Sequence, residues 1–226
     1  MHETRRRAAV RARCLAVAAF AALPGIGASW AAPATPMLFD QAFRAGERGA
    51  LHFEATYLAR GREHHLESWR DGATRLKRVT DGDVETYVAH RPGDAEFSMT
   101  LLDKRRKLST RIDRSNLYRI GSFTDWFDLA HGLRHPKGDY SLSRAAAPAG
   151  APAAAHPCTW YALTQNGHAS QVCWSAQHSL PMLVVAGDQV VWRVTKLDAH
   201  RIAPGTFLVD DRGYVRNDAN LDIERD

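Results

Sequence analysis

Several things are scarce in this chain of 226 residues, and each scarcity removes a class of function. Cysteine occurs three times, which allows at most one intramolecular disulfide. There is no Gly-x-Ser-x-Gly nucleophile elbow and no glycine-rich phosphate loop, so the common signatures of hydrolases and nucleotide-binding enzymes are missing. No self-similarity recurs at a solenoid period, and no apolar heptads run on to form a coiled coil. The most continuous apolar run, Cys14 to Leu23, is too short to cross a bilayer as a stable helix.

That short run belongs to a recognisable pattern. Arg5, Arg6, Arg7, Arg11 and Arg13 precede it, and Pro24, Gly25, Gly27 and the small residues around Ala28-Ser29-Trp30-Ala31 follow. A basic stretch, an apolar stretch and small residues at the −3 and −1 positions make a secretory signal peptide. We expect residues 1–31 to be removed after Ala31, leaving residues 32–226 as one exported domain. Arg13 directly before Cys14 disfavours a lipoprotein-type cysteine. Removal also changes the charge. The chain has 30 Lys and Arg against 25 Asp and Glu, and residues 1–31 hold five arginines and Glu3. The remainder carries 25 basic and 24 acidic residues, a net charge of +1, which gives no support to nucleic-acid binding. Cys158 and Cys173 are then the only thiols left, and in an oxidising compartment they pair most simply with each other.

Six tryptophans, six tyrosines and eight phenylalanines supply large apolar surfaces. Pro36 to Arg48 predicts a short amphipathic helix, with Leu38, Ala42 and Ala45 on one face and Phe39 and Phe43 beside them. Strands follow. Ala50 to Arg60 places Leu51, Phe53, Ala55 and Tyr57 on one face and His52, Glu54 and Thr56 on the other. Further short strands run from Glu63 to Ile112, punctuated at Gly61, Asp71-Gly72, Asp81-Gly82 and Arg91 to Asp94. The pattern is an antiparallel meander with one wet face. Ser122 to Leu133 predicts a helix of about three turns, capped by Ser122 or Thr124 and limited by Gly132 and Pro136. Residues 145–157, rich in alanine and proline, predict a mobile surface loop. Thr206 to Val209 predicts a last short strand, with a loosely ordered charged tail after it.

The clearest stretch runs from Cys158 to Asp198. Two β-rich runs flank Asn166-Gly167, a strong hairpin signal, and two more flank Gly187-Asp188. A two-residue turn would pair Gln165 with His168 and set the cysteines diagonally. A four-residue loop, Thr164 to Gly167, would set them directly opposite. A bonded pair favours the longer loop or a bulge, and would contribute about 3 kcal/mol in the chain-entropy model.

Cys158-Thr-Trp-Tyr-Ala-Leu, then Val172-Cys-Trp-Ser and Leu180-Pro-Met-Leu-Val-Val, together with Arg70-Asp71-Gly72 and Thr80-Asp81-Gly82, resemble segments of the RseB-type regulator N-terminal domain. The whole order of helix, strands, mid-chain helix and four-strand meander resembles periplasmic lipoprotein carriers of the LolA/LolB type over most of residues 37–210. The resemblance implies a mainly β fold: an unclosed antiparallel barrel, with helices covering the concave face of its curved sheet and an apolar cavity between. It also implies a periplasmic location and a lipid or lipoprotein acyl chain as ligand, with an inner- or outer-membrane protein as a possible partner.

On that footing the candidate cavity residues are Trp126, Phe127, Leu129, Leu133, Trp160, Trp174 and Trp192, although ordinary core is the favoured reading of the aromatic ones, and more so for Trp160, Trp174 and Trp192. His131 and His135 stand four apart, as a metal-binding pair on a helix would, but Gly132 and Pro136 make a polar helix end the better reading. No metal or other cofactor is expected. Lys104 to Lys107 reads as a basic turn at a strand tip. A non-enzymatic binding protein for an apolar ligand is the first functional expectation. An RseB-like envelope sensor acting on a membrane partner is the second, and an enzyme with a scattered site is the third.

Overall fold

The computed structural model describes residues 37–223, apart from residues 47–48, 92 and 120–124. The leader expected at residues 1–31 and the caps expected at Ser122 and Thr124 therefore lie outside the described residues.

Strands alternate with tight turns because left-handed residues fall where the sequence breaks its period-two pattern. Asn166 (φ 51°) and Gly167 (φ 76°) give the hairpin turn two consecutive left-handed residues, the type I′ pattern that matches the twist of its flanking strands. The first six strands form one meander: β1 (Ala50–Ala59), β2 (Arg62–Asp71), β3 (Arg75–Thr80), β4 (Val84–His90), β5 (Phe97–Asp103) and β6 (Leu108–Asp113). After helices α2 (Arg114–Arg119) and α3 (Trp126–His131) comes a second meander. It consists of β7 (Tyr140–Arg144), β8 (Thr159–Gln165), β9 (His168–Ser175), β10 (Leu180–Ala186) and β11 (Gln189–Asp198). The two meanders join where β1 pairs antiparallel with β11. The result is one curved sheet, twelve strands among the described residues, in the order β12-β6-β5-β4-β3-β2-β1-β11-β10-β9-β8-β7. It does not close, because β12 (Val215–Asp218) and β7 are separate edges. The chain is mainly β, with short helices on the concave face, as the resemblance implies.

Register shifts at Glu54/Ala55, Val184/Val185 and Pro181/Leu183 all fall on the central strands. Bulges bend a strand and increase its twist, and Pro181 sits at one of them, where a missing ladder N–H costs least.

Alternation puts the apolar side chains on the concave face in three groups. Leu142, Leu163, Val172 and Trp174 meet Phe39, Phe43 and Leu133 at one end. Leu51, Phe53, Leu66, Met182 and Trp192 fill the middle. Leu76, Val88, Met99 and Ile112 meet Leu117 of α2 at the other end. Helix α3 bridges the outer groups, with Phe127 packed on the first and Trp126 and Leu129 on the third.

Five expectations need correction. The first helix, α1, is a single turn, Phe39–Ala42. Its buried side chains are Phe39, Ala42 and the following Phe43, while Leu38 is 61% exposed, because burying phenylalanine rings removes the most apolar area from water. Helix α3 is six residues long, and Asp125 is its N-cap, accepting from the Asp128 N–H at 2.8 Å. The Asn166-Gly167 turn is the two-residue one, with Gln165 paired to His168. The disulfide still forms, with the Cα atoms 5.3 Å apart. Cys158 lies just before β8 begins, so its backbone is not held to the ladder and the diagonal can be bridged. The loop at residues 145–157 is not all solvent-facing: Ala154 packs against the central apolar group. Finally, Pro204–Phe207 is a 3₁₀ turn, and the tail is ordered into β12 and α4 (Ala219–Ile223).

That tail begins at the centre of the sheet and crosses the convex face to its far edge. Phe207 lies under the Arg75 guanidinium, 4.7 Å from ring centroid to charge. Ser109 donates to Asp211 at 3.3 Å, and β12 then pairs parallel with β6.

Candidate functional site

Between α3 and the concave face lies a cavity of about 430 Å³. Its apolar wall is Leu129 and Leu133 from the helix side and Val184, Val191 and Trp192 from β10 and β11, with Tyr57 at the end of the inward face of β1. The cavity exists because α3 is short and is stopped abruptly. Gly132 adopts φ 65° and turns the chain away, a left-handed C-terminal position that glycine takes without strain.

Gly132 is also pressed against Trp192. A Cβ there would stand 2.7 Å from Cη2 and 2.9 Å from Cζ2 of the indole. The ring cannot easily give way, because its Nε1 donates to the Pro181 carbonyl at 2.8 Å. One tryptophan thus serves as cavity wall and as the surface on which the end of α3 rests.

A buried arginine ties the same helix end to the sheet. Arg70 of β2, 3% exposed, donates to the carbonyls of Ala130 at 3.0 Å and His178 at 2.9 Å. The Ala130 carbonyl belongs to the last turn of α3, where backbone acceptors have no helical donor. His131 is fully buried beside this arginine, with Nδ1 2.6 Å from the Ser179 carbonyl.

His135 points elsewhere, so the two histidines do not form a chelating pair. Its Nδ1 lies 3.2 Å from Asp125 and 3.1 Å from Asp128, and its Nε2 lies 3.1 Å from Asp40 of α1. Hydrogen bonding to Asp125, then to Asp128, raises the imidazole to about 10. Burial is the largest single effect on Asp125 and pushes its carboxyl up, but the bonds to His135 and Asp128 and the His135 charge together outweigh it and hold the group below the usual carboxylate range. His135 is therefore a cation at neutral pH, clamping three acids. Asp125, Asp128 and His135 are close enough to hold a metal ion, but the protonated imidazole already satisfies their charge. His52, Glu54 and Glu67 form a second such group on the convex face, where Glu54 also pairs with Lys196 at 3.0 Å.

The cavity is not electrically neutral. Arg78 of β3 and Arg134 after α3 both line it, and Asp128 is its one acid. Asp128 is committed to His135, from which it accepts backbone and ring N–H bonds at 3.0 and 3.1 Å. Arg78 is half-buried and opens onto the cavity. Burial pushes its pKa down, and the nearby Arg134 charge pushes it the same way.

The candidate residues named from sequence are spread around this site. Leu129, Leu133 and Trp192 line the cavity. Phe127 and Trp174 stack 6.1 Å apart in the first apolar group. Trp126 covers the third group and lies 4.3 Å from the His90 ring. Trp160 precedes the inward-facing Tyr161 on β8 and so lies on the opposite face. Sequence reasoning did not single out Tyr57, Arg78 or Val184. Arg78 had a signal, since it stands two residues from Leu76 and so shares its face. The basic turn Lys104 to Lys107 is largely neutralised locally: Lys104 pairs with Glu85 at 2.7 Å, Arg105 with Asp83 at 2.5 Å, and Lys107 lies over Tyr214.

No protein-family model matches the chain, and no curated protein sequence matches it. Among solved structures it is similar to PNGF-II in two crystal forms, with TM-scores of 0.40 and 0.38 and identities of 7% and 8%. Each match covers 77% of this chain, and 33% and 32% of the PNGF-II chain. It is also similar to MucB, with a TM-score of 0.40 and 12% identity, over 76% of this chain and 61% of MucB. The chain thus spans about a third of PNGF-II and less than two thirds of MucB.

Proposed function

We propose that this is a non-enzymatic, periplasmic binding protein that holds an acyl chain or similar apolar ligand between its curved sheet and α3. The observation that supports this reading is the cavity of about 430 Å³ walled by Leu129, Leu133, Val184 and Trp192. Its size falls within the range of small-molecule sites. No serine, cysteine or histidine lines it, so among the lining side chains there is no hydroxyl or thiol nucleophile beside an imidazole base. Each buried methylene would supply about 0.8 kcal/mol, so a chain of about ten carbons could outweigh the cost of its own ordering. The disulfide fits an oxidising compartment, and among the described residues no helix is long and apolar enough to cross a membrane.

The test is to express the chain with residues 1–31 in place, purify it from the extracytoplasmic fraction and examine it by native mass spectrometry. A bound lipid in near-stoichiometric amount is expected, and stripped protein should rebind it with a change in tryptophan fluorescence. Protein that carries no lipid and takes up none would end the proposal.

An envelope-regulatory role through a membrane protein is the second reading. Leu208, Val209 and Val215 favour it, since all three are exposed along the C-terminal crossover. A photocrosslinker at Leu208 that captures no membrane protein in cells would remove this support.

A further inference from the structure

We infer that the ligand of this cavity is an anionic amphiphile, its charged oxygen group held by Arg78 and Arg134 while its chain lies along Leu129, Leu133 and Trp192. The inference rests on the binding-protein reading above and adds the chemical class of the ligand.

Arg78 carries the argument. Its guanidinium reaches under α3, where its one hydrogen bond among the described residues is a long donation to the Leu129 carbonyl at 3.5 Å. That carbonyl is a poor counterpart for a full charge. Among the described residues no carboxylate lies within ion-pair distance of Arg78 or Arg134, although other cations there, such as Lys104 and Arg216, are paired with acids. The acid that could have served, Asp128, is turned to His135. An arginine does not lose its proton in a protein, so Arg78 keeps its charge. Burial and a second guanidinium on the same cavity both make that charge costly. A carboxylate or phosphate entering the cavity would relieve both, because either accepts the guanidinium fork in two parallel bonds. Apart from Asp128, which is engaged by His135, the remaining lining is largely apolar, and a free inorganic anion would not use it. An acyl chain joined to one anionic group fits both halves.

The experiment uses the full exported chain, stripped of lipid, with dodecanoate, dodecyl phosphate and dodecanol, each below its micellar concentration. Binding is read by calorimetry and by tryptophan fluorescence. Both anions should bind at least about tenfold more tightly than the alcohol, the worth of one charge-assisted hydrogen bond pair. Their advantage should shrink as salt is raised. Arg78→Met should lower anion affinity by about ten- to a hundredfold and leave dodecanol binding unchanged or stronger. Arg134→Gln, at an exposed position, keeps the test informative if Arg78→Met does not fold, and should weaken the anions alone by a smaller factor. Equal binding of anions and alcohol by the wild type would overturn the inference and leave the binding-protein reading standing. So would a folded Arg78→Met protein with unchanged anion affinity. Failure of all three ligands to bind would overturn both. A preference between carboxylate and phosphate identifies the source as a free fatty acid or a phospholipid.

Discussion

Gly132→Ala isolates the contact on which the cavity depends. Two costs are combined at this position. An alanine held at φ 65° is strained by about 1 to 2 kcal/mol relative to glycine. Its Cβ would also stand 2.7 Å from Cη2 of Trp192, and overpacking of this kind costs about 1 to 3 kcal/mol. The indole is pinned through Nε1 to the Pro181 carbonyl, so relief must come by lifting the end of α3. We expect a total loss of about 3 kcal/mol. Gly138 is the control: it has φ 81°, and nothing stands within 4 Å of a Cβ built there, so Gly138→Ala should cost only the backbone part, about 1 to 2 kcal/mol. Urea unfolding of the oxidised protein at pH 7 measures both, with equal m-values as the check that only stability has changed. A third comparison adds Trp192→Phe, which removes the larger ring; on that background the cost of Gly132→Ala should fall to that of the control. If Gly132→Ala costs no more than Gly138→Ala, the close packing of helix end and indole is not what holds α3 in place.

Two further perturbations address the supports of the site. The folded-state pKa of His135 is raised to about 10 from its ordinary 6.5, so its stabilising contribution is complete below about pH 6.5 and is lost as pH rises through about 10. The stability difference between wild type and His135→Gln should therefore be largest near pH 6, about 1 kcal/mol for a half-exposed cluster, and vanish above pH 10; a difference that is flat from pH 6 to 10 would contradict the clamp. Replacing Cys158 and Cys173 together by serine should lower the unfolding free energy by about 3 kcal/mol, measured by urea denaturation, whereas a loss below about 1 kcal/mol would mean that the bridge adds little beyond the local hairpin.

Much of the sheet was legible because its signals are local. Alternation and the Asn-Gly and Asp-Gly turns are read within about ten residues, and the strands from β1 to β6 and from β8 to β11 follow them. The cysteine pair was legible as well, but not its diagonal placement, which depends on Cys158 lying outside the ladder of β8. Helix lengths were overread. Periodicity at Trp126, Leu129, Ala130 and Leu133 continues past Gly132, while the left-handed backbone there ends α3 after His131. The tail was underread, since β12 and α4 are short and acquire order only against distant elements, β6 and α2. Arg78 was passed over for a similar reason. Beside Leu76 it reads as one of several charges on a solvent-facing strand, and only the passage of α3 overhead encloses it. The family resemblance, carried by short segments, has no matching family model.

The seam between β1 and β11 joins partners far apart in the chain: Thr195 donates to the Glu54 carbonyl across 141 residues. Each meander can assemble from neighbouring hairpins, but β1 must keep a bare edge until nearly the whole polypeptide is available. Bare edges invite pairing with other chains, and distant pairings form slowly. The folded protein and the newly made chain therefore differ most at this line, and a chaperone that shields β1 until β11 arrives would guard the point where misassembly begins.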